Sequence, residues 1–307
     1  MAVTREELRL QTSGGEGGEM TPRVFKKGRV MGLVCSYRRM GNTEVSVREV
    51  LSGVEPFGLS TELIRLTDHR VEPCRGCMSC VFKGGGCPID DDAQGILQRV
   101  TSADALVLGA PTYILGAAGV LKMLSDRSMG FMACDSRPAE GKPAVGVVTA
   151  GVPGWEGLAP AMVRIFLYSL GFRLVGLEVV HAQGPGEVLL DEDEVVRLRA
   201  AGDLLGRVLS GKVDHRLQAG DGDCPLCGES VISLSDGQVR CLICGLKGRL
   251  TGSEVMWEDP KGWRWGAKEM KWHFDEQVRS SGPRYMAKAR EIRRMVKDRY
   301  RRRDEDD

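Results

Sequence analysis

The sequence predicts an α/β protein built on a doubly wound, five-stranded parallel sheet, with a small four-cysteine metal ribbon and a helical C-terminal tail appended to it. Three observations predict this. From residue 28 to about residue 210, short runs that are apolar throughout alternate with segments of helical period, and strands apolar on both faces belong to parallel sheets covered by helices on both sides. Two C-x-x-C pairs with thirteen residues between them then follow a polar, Gly-containing stretch, a spacing that suits a tetrahedral metal site. The last part of the chain is rich in Trp and then in Lys and Arg.

Taken in order, residues 1–27 are Gly-, Glu- and Ser-rich without hydrophobic period and are expected to be a disordered leader. Residues 28–210 are expected to form the sheet domain. RVMGLVCS (29–36) is the first strand and TEVSVREVLSGV (43–54) the first helix. STELIRLT (60–67) is the second strand, ADALVLGAP (103–111) the third, and VLKMLSDR (120–127) the helix after it. PAVGVVTAG (143–151), LAPAMVRIFLYSLG (158–171), FRLVGLEVV (172–180) and EVVRLRAAGDLLGRVL (194–209) complete the alternation. A cysteine loop (70–92) is inserted between the second and third strands. Residues 211–223 form a polar linker, 224–250 the metal ribbon, and 251–307 the Trp-rich and basic tail.

Composition narrows the function. A chain of 307 residues buries a core without disulfide staples. Lys and Arg (43) nearly cancel Asp and Glu (42), so affinity for a charged partner must arise from local asymmetry. No apolar run approaches the ~18 residues of a membrane span, and the N-terminal stretch lacks the apolar core of a secretory signal; a cytoplasmic protein without membrane contact is expected. Eight of the ten cysteines fall in two compact clusters, and none of the four histidines falls within either. In a reducing compartment such clusters indicate metal or redox sites in preference to disulfides. The two others, Cys35 at the end of the first strand and Cys134 in a loop, read as packing residues.

The loop SYRRMGNTE after the first strand opens the first helix. A helix N-terminus presents unpaired N–H groups and a positive dipole end, so Ser36, Arg38, Asn42 and Thr43 are candidates to hold a phosphate there, or to make an ordinary capped turn. The dinucleotide pattern G-x-G-x-x-G is missing from this turn, and G-x-x-x-x-G-K-[ST] occurs nowhere, so a mononucleotide is the guest that remains. PTYILGAAG (111–119) and TAGVPGWEG (149–157) follow the third and fourth strands. Three loops of small residues at the carboxyl edge of a doubly wound sheet suit a flat ring, against which Tyr113 can pack.

S-x-R-x-x-G-N-T after the first strand, P-x-Y with a small-residue turn and LK-x-L-x-DR after the third, and T-A-G at the fourth resemble the NADPH-dependent FMN reductase branch of flavodoxin-like proteins. The resemblance covers residues 28 to roughly 210. Within that branch, the cysteine loop before IDDDAQGIL resembles the iron–sulfur flavoprotein family, in which a compact C-x2-C-x2-C-x(n)-C motif holds a [4Fe-4S] cluster beside FMN. It implies FMN at Ser36, Arg38, Asn42, Thr43, Pro111, Thr112, Tyr113, Leu115, Thr149 and Gly151, and a homo-oligomer, dimer or tetramer.

Cys74, Cys77, Cys80 and Cys87 have spacings of two, two and six residues. A cubane cluster needs one thiolate per iron, and C-x2-C-x2-C can present three around one face while Gly84, Gly85 and Gly86 give the reach for the fourth. Zinc on the same thiolates, or no metal at all, are the other readings; Cys87, after the long gap, is the least constrained ligand. In the ribbon, Cys224, Cys227, Cys241 and Cys244 form two knuckles. They suit structural zinc, because so small a module has too little core to fold unaided; a rubredoxin-like iron fits the same cage.

Trp257, Trp263, Trp265 and Trp272 read as packing the ribbon and tail onto the sheet domain or a neighbouring subunit, or one of them as covering the flavin. From Arg284 to Arg303 ten Lys and Arg face two Asp and Glu, a solvated helix or a surface for an acidic electron carrier or nucleic acid. The expected function is that of an oxidoreductase passing electrons between a low-potential donor such as ferredoxin, a [4Fe-4S] cluster and FMN. The alternatives are an NAD(P)H-dependent FMN or quinone reductase and, from another class, a redox-sensing nucleic-acid-binding protein. No side-chain acid or nucleophile is expected to be catalytic, since the flavin carries the chemistry.

Overall fold

The computed structural model describes residues 28–84, 86–133 and 137–301; the expected leader, Gly85 and Cys134 lie outside these. Five parallel strands, β1 (Arg29–Val34), β2 (Ser60–Arg65), β3 (Ala105–Tyr113), β5 (Pro143–Ala150) and β6 (Arg173–His181), form a sheet in the order β2-β1-β3-β5-β6. A two-residue strand, β4 (Gly116–Ala117), turns back antiparallel on the end of β3. The chain leaves β1 toward one edge and returns past it to β3, so the crevice of such a sheet opens at the carboxyl ends of β1 and β3.

The apolar runs of β1, β3 and β5 are buried on both faces because helices cover both. On one face α1 (Asn42–Val54) and α7 (Glu192–Leu209) enclose Val47, Val50, Leu198 and Leu205. These two helices meet at glycines: a Cβ on Gly202 would lie 1.9 Å from the Val50 carbonyl oxygen, and one on Gly53 2.1 Å from that of Arg199. Only a residue without Cβ permits this backbone approach. On the other face lie α3 (Ala93–Ser102), α4 (Gly119–Arg127), followed by the one-turn α5 (Met129–Met132), and α6 (Ala159–Leu170); α3, α4 and α6 bury Ile96, Leu97, Leu121, Leu124, Phe166 and Leu167. Each such side chain contributes ~1.5–3 kcal/mol by burial. The helix α3 was not distinguishable in sequence from the cysteine loop it follows.

After α7 the chain crosses residues 213–220 without regular structure and enters a four-stranded antiparallel sheet. Its strands are β7 (Ile232–Ser235), β8 (Gln238–Cys241), β9 (Lys247–Thr251) and β10 (Glu254–Trp257). The buried cysteines at its base, with Ile243 and Leu246, join the same core as α6. Trp257, Trp263 and Trp265 pack against that core, and Trp263 meets the Tyr168 ring edge-on at 5.0 Å. The chain then runs through α8 (Ala267–Trp272), a π-helical turn (His273–Arg279) and α9 (Ser281–Val296), which continues as a π turn over Lys297–Arg301.

Candidate functional site

The residues expected to hold a phosphate lie where β1 ends and α1 begins. Ser36, Asn42 and Thr43 are buried, and the N-terminus of α1 carries no side-chain cap, which leaves its first N–H groups free for a ligand. Ser36 Oγ accepts from Arg38 N at 3.2 Å and closes the turn. Thr43 and Thr149 share a hydrogen bond of 2.6 Å between their hydroxyls, which ties the loop after β1 to the end of β5. Asn42 donates to the Ala182 carbonyl and accepts from Val188 N, anchoring the same turn to the chain beyond β6. Pro111 pairs in register with Thr149.

The structure thus gathers Ser36, Asn42, Thr43, Pro111 and Thr149 around one end of the sheet. It leaves Arg38, Tyr113, Leu115 and Gly151 on the exposed rim. Two features leave polar groups for a bound mononucleotide: the uncapped helix start, which suits its phosphate, and the Thr112 hydroxyl, buried without a hydrogen-bond partner. An acidic residue, Glu44, stands in the first turn of α1, but Arg48 and Arg65 neutralise it and Met40 N donates to it at 2.9 Å. Burial would raise the Glu44 carboxyl; the hydrogen bonds from Arg48 and Met40, with the charges of Arg65 and Arg48, outweigh it and hold the group below its ordinary value.

The second set of thiols lies beyond β2. Cys74, Cys77, Cys80 and Cys87 line one hollow together with Met78, Arg127 and others. Cys77 sits just before the short helix α2 (Ser79–Phe82), and hydrogen bonds from Ser79 backbone and hydroxyl hold its thiol below the ordinary value. Burial first, and then the neighbouring charges of Cys87, Cys74 and Cys77, push the Cys80 thiol up. Arg127, on one wall of the hollow, belongs to a fully buried ion pair. Arg127 meets Asp91 through two bonds of 2.5 and 2.8 Å, with both side chains 0% exposed. Asp91 also accepts from Glu72 N and Ala93 N, and Arg127 donates to the Glu72 carbonyl. The Arg127 Nε is buried without a hydrogen-bond partner, on a side chain that faces the Cys87 sulfur.

The two cysteine sets differ in spacing. Cys224, Cys227, Cys241 and Cys244 are buried, with all four sulfurs within 4.8 Å of one another; among the described residues this is the only such group. The Cys224–Cys244 and Cys227–Cys241 sulfurs are 3.4 and 3.5 Å apart. A tetrahedral ion with ~2.3 Å metal–sulfur bonds sets sulfurs about 3.8 Å apart, so this cage suits one ion. The Cys74 set does not close to that spacing, as suits a larger group.

The two ribbon knuckles are built alike. Gly228 N donates to the Cys224 carbonyl and Gly245 N to that of Cys241, at 2.8 and 3.0 Å. Both glycines adopt left-handed backbone, φ of 67° and 81°, which they enter without the steric penalty of a side chain. The first knuckle is fixed to α6: Arg164 pairs with buried Glu229 at 3.0 Å and donates to the Gly228 carbonyl, and the Tyr168 hydroxyl donates to the Cys227 carbonyl. Arg264 and the Trp265 indole donate to carbonyls within the second knuckle. The neighbouring thiols and then burial push the Cys227 thiol up.

Sequence spacing pointed to every one of these thiols. It did not point to Asp91, Arg127, Arg164 or Glu229, whose partners lie 36 and 65 residues away in the chain. The one available signal was the DR that ends LK-x-L-x-DR.

Residues 29–185, just over half of the chain, match the model of the family described as NADPH-dependent FMN reductase. The chain belongs to this family. The NADPH-dependent FMN reductase family places it among flavin-dependent oxidoreductases. An iron–sulfur flavoprotein of Methanocaldococcus jannaschii is 44% identical over 100 residues, which are 33% of this chain and 51% of that protein. Another, from Archaeoglobus fulgidus, is 30% identical over 139 residues, covering 45% of this chain and 67% of that one. The matched stretch therefore spans about half to two-thirds of these relatives' lengths. A solved structure of a flavone reductase aligns over 89% of this chain and 96% of its own, with a TM-score of 0.72 at 19% identity. That likeness shows the fold, and at 89% it extends beyond the doubly wound sheet. No helix among the described residues is long and apolar enough to cross a membrane.

Proposed function

We propose that this chain is an iron–sulfur flavoprotein oxidoreductase that passes electrons between a low-potential one-electron donor, a [4Fe-4S] cluster on Cys74, Cys77, Cys80 and Cys87, and FMN at the crevice of β1 and β3. The observation that carries it is the pairing of an uncapped, neutralised phosphate cradle with four thiols on one hollow, set wider than a single ion requires. When bound, FMN supplies one- and two-electron chemistry and the cluster single-electron transfer. The chain's own residues bind and orient. Ser36, Asn42, Thr43 and the first N–H groups of α1 hold the phosphate with Arg38 closing over it, while Pro111, Thr112, Tyr113, Leu115, Thr149 and Gly151 border the ring. The names of the M. jannaschii and A. fulgidus relatives support the cluster reading.

In the same reading the ribbon (224–250) holds zinc and serves folding, the sheet domain spans 28–210, and the tail is 251–307, with its 270–282 stretch covering the cluster side. The protein works in the cytoplasm as a homo-oligomer. Exposed Tyr113, Ile114, Leu115, Trp155 and Leu158 around the crevice support assembly over that face. Direct hydride donation from NAD(P)H is the second reading, supported by the family description.

Anaerobic stopped-flow reduction separates the two. Cys77→Ser is expected to lose iron and to slow reduction by reduced ferredoxin at least tenfold, while chemical reduction of bound FMN persists. Reduction of the iron-free variant by ferredoxin at the wild-type rate, or efficient reduction of both forms by NADPH alone, contradicts the cluster reading.

A further inference from the structure

Between the ribbon and the C-terminal helix, the tail turns back onto the cysteine hollow. Met270 and Phe274 form a small core with Val81 and Ala133, against which Met78, Cys80 and Val278 pack. Arg279 donates to the Val81 carbonyl from Nε and to the Ala133 carbonyl from Nη2, at 3.2 and 2.8 Å. Gly282 then lies against the Phe82 ring, its notional Cβ 3.1 Å away. The short helix bearing Cys80 is thus held from outside by the tail, and α9 starts at that point of contact.

Beyond this anchor α9 runs almost wholly exposed. Of its residues only Ala289 is buried, and its substantial contacts are with the turns that flank it. Tyr285, Ala289, Ile292, Val296 and Tyr300 recur at intervals of three and four and so share one face. Tyr285, Val296 and Tyr300 are about half exposed. Lys288 flanks this stripe on one side and Arg293 and Lys297 on the other. From Arg284 to Arg301 eight Lys and Arg face two Asp and Glu, in a chain whose net charge is only +1. None of the seven from Arg284 to Arg299 forms an ion pair among the described residues. A helix of this length gains little stability alone, and an amphipathic face without a partner is open for one.

Charge chooses among occupants. Two copies of this helix repel each other, whereas an acidic surface is drawn to it and its approach is steered over a Debye length. Position adds to charge, since whatever lies along the first turns of α9 abuts Phe82 and the loop whose Cys74 and Cys77 are exposed.

We infer that α9 is the docking surface for a small acidic electron-carrier protein, held along the Tyr285–Tyr300 stripe beside the Cys74–Cys87 hollow. The inference rests on the one-electron donor reading proposed above. Each productive encounter moves one electron, oxidising the carrier by one equivalent and reducing this chain by one, with no bond made or broken.

The test uses the full-length, cluster-loaded protein and a small acidic bacterial ferredoxin as the probe. A variant with Lys288→Glu, Arg293→Glu, Arg294→Glu and Lys297→Glu, and a milder one with Gln at the same positions, change only exposed side chains. Wild-type reduction by ferredoxin is expected to slow about tenfold or more between 50 and 500 mM salt. The Glu variant is expected to lose at least tenfold at low salt and most of the salt dependence, with the Gln variant between them. Iron content and reduction by photoreduced deazaflavin should stay unchanged in both variants. Ferredoxin reduction of the Glu variant at the wild-type rate with its salt dependence intact overturns the inference while leaving the donor reading standing. Salt-sensitive binding of duplex DNA or of phosphatidylserine vesicles that the Glu variant loses, with ferredoxin reduction unaffected, also overturns it. A wild-type protein that lacks iron, or that ferredoxin does not reduce at any salt, sinks the donor reading itself.

Discussion

Asp91→Ala removes the acceptor for four hydrogen bonds: two from Arg127 at 2.5 and 2.8 Å, one from Glu72 N at 2.7 Å and one from Ala93 N at 3.2 Å. Arg127 stays fully buried, with the Glu72 carbonyl as its remaining hydrogen-bond acceptor. Breaking a buried pair in this way costs about 3–5 kcal/mol, because an uncompensated charge is left behind. A typical domain has ~5–15 kcal/mol to lose, so the variant should fold but unfold at markedly lower urea. The same groups hold residue 72 to the start of α3, and the cysteine loop lies between, so iron retention should fall with stability. Urea unfolding followed by circular dichroism, with iron analysis on the same samples, reads both effects. Asp91→Ala combined with Arg127→Met should recover at least about 2 kcal/mol, since the orphaned charge is then gone. Asp91→Ala within about 0.5 kcal/mol of wild type, or a double variant no better than the single, refutes the reasoning.

Arg38→Ala should weaken FMN binding about ten- to a hundredfold by removing one charge-assisted contact, measured by fluorescence titration of the apoprotein. Cys241→Ser should release the ribbon's metal and leave its knuckles open to protease, with the visible flavin spectrum largely retained. Arg164→Met strands the buried Glu229 carboxylate and should lower stability by ~3–5 kcal/mol, whereas Arg164→Met with Glu229→Leu should restore much of it. Glu44 sets a pH response. Its folded-state value lies below the ordinary 4.5, so its contribution is fully present above the unfolded value and is lost as pH falls through the folded one. Wild type should therefore lose stability below about pH 4.5 more steeply than Glu44→Gln, in unfolding curves taken from pH 7 to 3.

The sheet was readable in the sequence because β1, β3 and β5 are apolar on both faces, and only a covered parallel sheet explains such runs. The cysteine sets were readable as clusters because C-x-x-C spacing puts paired thiols on one turn, and the fold then brings each set together. The helix α3 was harder: AQGILQRVTS carries a glycine in its first turn and adjoins the cysteine loop. The tail helix was expected from Arg284; it begins at Ser281 and passes into a π turn at Lys297. Least readable were the buried charges. Taken singly, Arg127, Arg164 and Asp91 look like ordinary surface residues, and only the fold brings each to its partner. The same holds for Arg279, whose bonds to Val81 and Ala133 span 198 and 146 residues.

What the two cysteine sets hold decides the route of electrons most directly. An anaerobic preparation analysed for FMN, iron, acid-labile sulfide and zinc together should give about one FMN, four iron, four sulfide and one zinc per chain. Selective loss of iron and sulfide is expected in Cys77→Ser and of zinc in Cys241→Ser. Zinc at both sites without labile sulfide, or a metal-free Cys74–Cys87 loop in a protein still reduced by ferredoxin at full rate, would contradict the cluster reading.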